Sequence, residues 1–169
     1  MNASPEIINR VAQSGLLTID LEQFYPKNEP TTFDLKDFLF MGLILKEKEF
    51  RQALKEKDWS QYTNKNVAIV CTADAIVPYW AYMVVCGYLT GIAHYCFFGT
   101  EREMQTNLFL NALQTLDLEP YRNARVVVKG CSNKPVPPAV YVEITRLLKP
   151  LVKSLMYGEP CSTVPVFKQ

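Results

Sequence analysis

Short apolar runs and helical apolar stripes alternate along the second half of the chain. Val67-Ala68-Ile69-Val70-Cys71 is an uninterrupted apolar run between polar flanks, the pattern of a buried parallel strand. Pro78 suits a first helical turn, and Tyr79 to Leu89 continues it until Gly91. Tyr95 to Phe98 is a second strand, ending at Gly99. Thr100-Glu101-Arg102-Glu103 is a capping box that starts a helix running to about Leu116. Ala124 to Lys129 is a third strand. Pro138 then opens a helix with Val140, Ile144, Leu147, Leu148, Leu151 and Leu155 on one face, divided or kinked at Pro150 and stopped at Gly158. Thr163 to Lys168 is a final strand, and Pro165 confines it to an edge.

The first third reads differently. Ser4-Pro5-Glu6 caps a short helix that Gly15 ends, and Leu16 to Ile19 has strand character. Phe24 to Thr32, with Pro26, Asn28 and Pro30, reads as a loop. Asp34 caps a second helical stretch carrying Leu35, Phe38, Leu39 and Leu43, then Phe50, Ala53 and Leu54, with Gly42 as a break. The expected fold class is therefore α/β. A mostly parallel sheet covered by helices spans 67–169, and a helical N-terminal portion, 1–66, packs on the same core as one domain.

Two strand ends echo each other. Cys71-Thr72-Ala73-Asp74-Ala75-Ile76-Val77-Pro78 and Cys131-Ser132-Asn133-Lys134-Pro135-Val136-Pro137-Pro138 both read Cys, hydroxyl, three residues, β-branched aliphatic, one residue, Pro. Ligands of open α/β sheets bind beyond the carboxyl ends of strands. If the strand order is second-first-third, Cys71 and Cys131 sit on neighbouring strands about 4.8 Å apart and flank one crevice. If the order is first-second-third, a full strand separates them. Helix N-termini close to both, and Lys129 and Lys134 near Cys131, favour the thiolate, which is the reactive and metal-binding form.

Thiolates suit zinc or iron sites, and two are too few to close a zinc centre. Asp74 and Cys161 are the available additions. Cys161 meets a geometric obstacle. A helix from Pro138 runs back along the sheet for roughly 25–30 Å, which puts Cys161 at the opposite edge. The bland alternatives stay open: Cys71 reads equally well as the last buried residue of its strand, and Asp74 as a local cap. Cys86 and Cys96 read as core. His94, the only histidine, falls at a strand entrance away from the proposed edge.

Composition narrows the classes. The 169 residues carry 18 basic and 17 acidic side chains, a net charge of +1, which argues against an obligate nucleic-acid binder. No apolar run reaches the length of a membrane helix, Met1 to Gly15 lacks the pattern of a signal peptide, and the five cysteines are odd in number and irregular in spacing. A cytoplasmic protein with reduced thiols is expected. Residues 119–169 hold 8 basic and 3 acidic side chains, and Arg146, Lys149 and Lys153 recur at near-helical spacing as a docking face for a protein partner. A homo-oligomer is also compatible with the sequence.

Lys129-Gly130-Cys131 and, more specifically, Ser154-Leu155-Met156-Tyr157-Gly158-Glu159-Pro160-Cys161-Ser162-Thr163-Val164-Pro165 resemble an uncharacterised bacterial family, domain of unknown function 2480. Asp34 to Leu39, Lys46 to Arg51, Asp74 to Pro78 and Trp80-Ala81-Tyr82 fit the same resemblance, which covers nearly the whole chain. It implies no activity and no functional residue. It does imply a link, through gene neighbourhood, to iron–sulfur cluster assembly. The leading expectation is an accessory protein that binds a metal or sulfur species through Cys71, Cys131 and Cys161. A thiol enzyme with Cys131 as nucleophile and a non-catalytic adaptor are the alternatives.

Overall fold

The computed structural model describes residues 15–130 and 133–169. The helix expected after Ser4, and Cys131 itself, lie outside the described residues. In chain order the elements are β1 (Leu16–Asp20), β2 (Pro30–Asp34), α1 (Glu47–Glu56), β3 (Asn66–Val70), α2 (Tyr79–Leu89), β4 (Tyr95–Phe98), α3 (Glu101–Gln114), β5 (Arg125–Lys129), α4 (Pro138–Leu148), β6 (Ser154–Glu159) and β7 (Ser162–Lys168). The α/β class with mostly parallel pairing stands. The strands expected to continue one sheet are instead shared between two, in the orders β2-β3-β4 and β1-β5-β6-β7, and only β6–β7 is antiparallel.

Each sheet belongs to its own compact unit. Residues 26–108 form an inserted unit, and residues 1–25 with 109–169 form the unit it interrupts. Within the inserted unit, Phe33, Leu35, Phe50, Leu54, Val67, Ile69, Ala81, Val85 and Leu89 make a core. In the interrupted unit Ile19, Leu21, Phe109, Leu113, Val126, Val128, Val140, Ile144 and Leu148 make another. Each large apolar side chain so buried contributes roughly 1.5–3 kcal/mol relative to exposure.

The two cores are copies in register. Asn66 pairs with Tyr95, and 59 positions later Arg125 pairs with Ser154. The same step takes α2 to α4, the 3-10 turn Ser60–Tyr62 to Glu119–Tyr121, Phe50 and Leu54 to Phe109 and Leu113, and Ala81, Val85 and Leu89 to Val140, Ile144 and Leu148. Asn64 and Asn123 both take the left-handed backbone that Asn tolerates better than most residues, and their amides donate to Ile92 O at 2.9 Å and Leu151 O at 2.8 Å. Gly99 and Gly158 share positive φ.

The opening strands repeat at a shorter step. In Asp20-Leu21-Glu22-Gln23-Phe24 and Asp34-Leu35-Lys36-Asp37-Phe38 the aspartate ends a strand, and its Oδ1 accepts the amide two residues on at 3.0 Å. A one-turn 3-10 helix follows. One unit is thus nested in its duplicate, and β1 is separated from the rest of its sheet by the whole inserted unit.

Four local expectations change. The end of the expected loop, Pro30 to Thr32, belongs with Phe33 and Asp34 to β2, a strand held by its register on β3. The helix expected after Asp34 shortens to the 3-10 turn Leu35–Phe38, and the α-helix starts only at Glu47. Of the expected helical N-terminal portion, the described residues hold two strands and one α-helix. The stretch from Pro138 stops being helical at Leu148, two residues before Pro150, and Ser154–Glu159 is strand β6. The final edge strand is found as β7, and Pro165 sits opposite Met156, beside the point where the β6–β7 register shifts. Among the described residues no helix is long and apolar enough to cross a membrane.

Candidate functional site

Both sheets present the carboxyl ends of parallel strands, and the repeat furnishes the two edges differently. In the interrupted unit Asp20 ends β1, Lys129 ends β5 beside it, and Glu159 ends β6. Lys129 Nζ lies 3.4 Å from Asp20 Oδ2 and 3.7 Å from Glu159 Oε2. The hydrogen bond to Asp20, then the charges of Glu159 and Asp20, hold the Lys129 ammonium above its usual range. Beyond β5 the space at Gly130 is tight. A Cβ there would meet Leu21 Cβ and Tyr141 Oη at 3.0 Å each. Tyr141 Oη donates to Gly130 O at 2.9 Å, and the Asn133 amide donates to the Glu22 carboxylate at 3.0 Å.

In the inserted unit the equivalent aspartate is Asp34, and Val70 stands where Lys129 stands in the copy. Thr72 supplies the partner instead, donating from both its amide, at 3.1 Å, and its hydroxyl. Burial pushes the Asp34 carboxyl up. Hydrogen bonds from the Thr72 side chain and from the Lys36 and Thr72 amides, together with the Lys36 ammonium, outweigh it and hold the carboxyl below its ordinary value.

The cysteines distribute as follows. Cys71 follows β3, half-buried against the inserted core, with its thiol 3.7 Å from Ala73 O. Asp74 is exposed in the loop after it. Cys161 is exposed in the turn joining β6 to β7. β3 and β5 belong to different sheets, so neither strand order that was considered for Cys71 and Cys131 applies. The echo is a true repeat displaced by one residue: the 59-residue step carries Cys71 to Gly130, and Thr72 to position 131.

Cys161 also moves. The chain returns from α4 into β6, which runs parallel to β5, so Cys161 lies just beyond the edge where β5 ends and not across the sheet. Cys86, expected in the core, is exposed on α2. Cys96 is half-buried, and burial first, then Cys86 beside it, pushes its thiol up to about 11. His94 is exposed at the entrance of β4, as its position in the sequence indicates. Among the described residues no three His, Cys, Asp or Glu side chains group as metal ligands.

Of the proposed docking cations, Arg146 is closed on Glu143 by two hydrogen bonds of 2.8 and 2.7 Å. Lys149 lies over the Phe167 ring, and Lys153 falls beyond the helix, just before β6. Asp20, Lys129 and Glu159 were not singled out as a group from the sequence. The signal that reaches the first of them is the repeated Asp-Leu-x-x-Phe at 20–24 and 34–38.

The sequence model of the family described as "Protein of unknown function (DUF2480)" matches residues 5–169. The chain belongs to the DUF2480 family. No curated protein and no solved structure matches it. The duplication is thus an observation on the DUF2480 chain itself, and it carries no borrowed activity.

Both copies in the DUF2480 chain hold an apolar cavity between the helix and the sheet. In the inserted unit about 230 Å³ is lined by Ile69, Tyr82, Cys86, Cys96 and Phe98, among others. In the interrupted unit about 350 Å³ is lined by the equivalents Val128, Tyr141, Thr145, Leu155 and Tyr157, with Val166 of β7 added.

Proposed function

We propose that this protein is a cytoplasmic accessory factor that holds a thiophilic metal, zinc or iron, or a sulfur species, at the carboxyl edge of the four-stranded sheet. Cys131 and Cys161 are the thiols of this reading, and a role in iron–sulfur cluster assembly is its biological setting. One observation carries it: Glu159, two residues before Cys161, is ion-paired with Lys129, two residues before position 131. The β6–β7 hairpin therefore returns one thiol to the edge from which the chain departs toward the other. Soft thiolate donors suit zinc and iron, and Asp20 and Glu159 supply hard donors nearby. Cys71 and Asp74 follow the end of β3 in the inserted unit, and this reading does not require them.

The test is metal content after anaerobic purification under reductant, before and after adding Zn²⁺ or Fe²⁺. Bound metal that is lost in Cys131→Ser and in Cys161→Ser, and kept in Cys71→Ser, is the expected result. Protein that holds no metal, takes up none, and forms no persulfide detectable by mass spectrometry after polysulfide treatment would end the proposal.

A further inference from the structure

The edge that β7 covers in one copy is bare in the other. Tyr95 and Gly99 turn their amides to β3, donating to Lys65 O at 3.4 Å and Ile69 O at 3.1 Å. Strand alternation turns the backbone groups of Cys96 and Phe98 the other way. Among the described residues no strand pairs with them. Their equivalents, Leu155 and Tyr157, sit opposite Phe167 and Val164 of β7.

The bare edge also lacks the usual guards. Edge strands are protected by charge, proline or a bulge. The other border of this sheet, β2, begins with Pro30 and ends with Asp34. From Ala75 to Thr100, by contrast, no Asp, Glu, Lys or Arg occurs, whereas the equivalent span 134–159 carries Lys134, Glu143, Arg146, Lys149, Lys153 and Glu159.

Helix α2 adds an apolar stripe beside that edge. Tyr79, Met83 and Cys86 lie on one side at helical spacing, and Tyr79 and Met83 are 87% and 73% exposed. Phe98 on β4 is 70% exposed. A helix apolar on nearly every side is normally covered on both. The cavity behind the edge lacks the side chain that Val166 contributes to its copy.

We propose that a second copy of this chain covers this face. β4 pairs antiparallel with β4 of the other copy, and the two α2 stripes pack alongside. An uncharged face offers no purchase to a charged partner, and it complements another of its kind. Antiparallel pairing of identical strands is two-fold symmetric, as an isologous dimer requires. The equivalent strand of the other unit, β6, pairs with an antiparallel strand, the kind of partner this edge geometry accepts.

Sedimentation and light scattering of the full chain under reductant, over a concentration series, test the proposal. A dimer of twice 19.3 kDa is expected. Met83→Glu and Phe98→Lys, both at exposed positions, should each weaken association at least ~10-fold with unchanged circular dichroism. Val142→Glu, at the position equivalent to Met83 and 70% exposed, should leave the dimer intact. Hydrogen exchange at the Cys96 and Phe98 amides of the unaltered chain should slow as concentration rises. A monomer at every concentration, or a dimer indifferent to both variants with unprotected β4 amides, would overturn it.

Discussion

The two units share a backbone plan and differ in nearly everything that faces outward. The inserted copy anchors its first strand end through Asp34 and Thr72, and the interrupted copy through Asp20 and Lys129. One keeps an uncharged, bare outer edge, and the other is charged and closed by β7. Their cores exchange Phe33 for Ile19, Ala81 for Val140 and Val85 for Ile144 while β3–β4 and β5–β6 keep the same register. Apolar character at set positions specifies this unit, and side-chain identity does not: the smaller Ile19 goes with the larger Val140 and Ile144. The outer faces are then free to diverge, and the divergence is where different functions are to be sought.

The largest effect tests whether the copies are separate cooperative blocks. Phe50→Ala and Phe109→Ala remove equivalent, fully buried rings from the two cores, at a cost of about 3–5 kcal/mol each. Both tryptophans, Trp59 and Trp80, fall in the inserted unit, so their fluorescence reports that unit. Phe50→Ala should lower the fluorescence midpoint in urea. Phe109→Ala should lower the circular dichroism midpoint and move the fluorescence midpoint less. Identical shifts by both probes in both variants would mean that the copies unfold as one block.

What the sequence made legible follows from local signals. β4, β5 and α2 are bounded by Pro or Gly, β3 is an apolar run between polar flanks, and all four lie within a residue or two of their expected bounds. The Thr100 box is present as read, with the Thr100 amide and hydroxyl both on Glu103 Oε2 at 2.8 Å. β6 was hidden because Leu147, Leu148, Leu151 and Leu155 sustain a helical period across Pro150, although proline was the stronger signal. The division into two sheets was hidden because pairing is non-local: β1 finds β5 more than a hundred residues away. The displaced echo has a simpler cause. Matching Cys71 to Cys131 follows residue identity, whereas strand register matches Cys71 to Gly130, where Leu21 and Tyr141 crowd the position a side chain would take.

A second, smaller effect separates the glycines that close the last parallel strand of each copy. Gly158 has φ +120, and a Cβ on it would stand 2.5 Å from Ser162 O, a backbone atom of the β7 hairpin. Gly99 has φ +133, but its nearest atoms belong to the Phe97 ring and the Glu103 carboxylate, which can move. Gly158→Ala should cost about 2–4 kcal/mol and loosen β7, and Gly99→Ala should cost less. Denaturation midpoints rank the two. Equal losses would show that backbone strain alone matters and that the covering strand adds nothing.

The smallest effect lies at the aspartate anchors and depends on pH. Asp34 is only 13% exposed at its side chain, and its folded carboxyl is held below its ordinary value of 3.8. A depressed carboxylate contributes stability that is present above the unfolded pKa and lost as pH falls through the folded one. Thr72→Val removes the hydroxyl donor and keeps the shape, so it should cost about 1 kcal/mol at neutral pH. The deficit should shrink below pH 3.8, as Asp34 protonates in both proteins. Lys129→Met in the other copy removes two ion pairs open to solvent, those with Asp20 and Glu159, so its deficit should fall with added salt, while that of Thr72→Val should persist. Urea unfolding at low and high salt, repeated across the acid range, distinguishes the two. A Thr72→Val deficit that is constant with pH would show that Thr72 braces the loop without serving the carboxylate, and the two anchors would then have no charge in common.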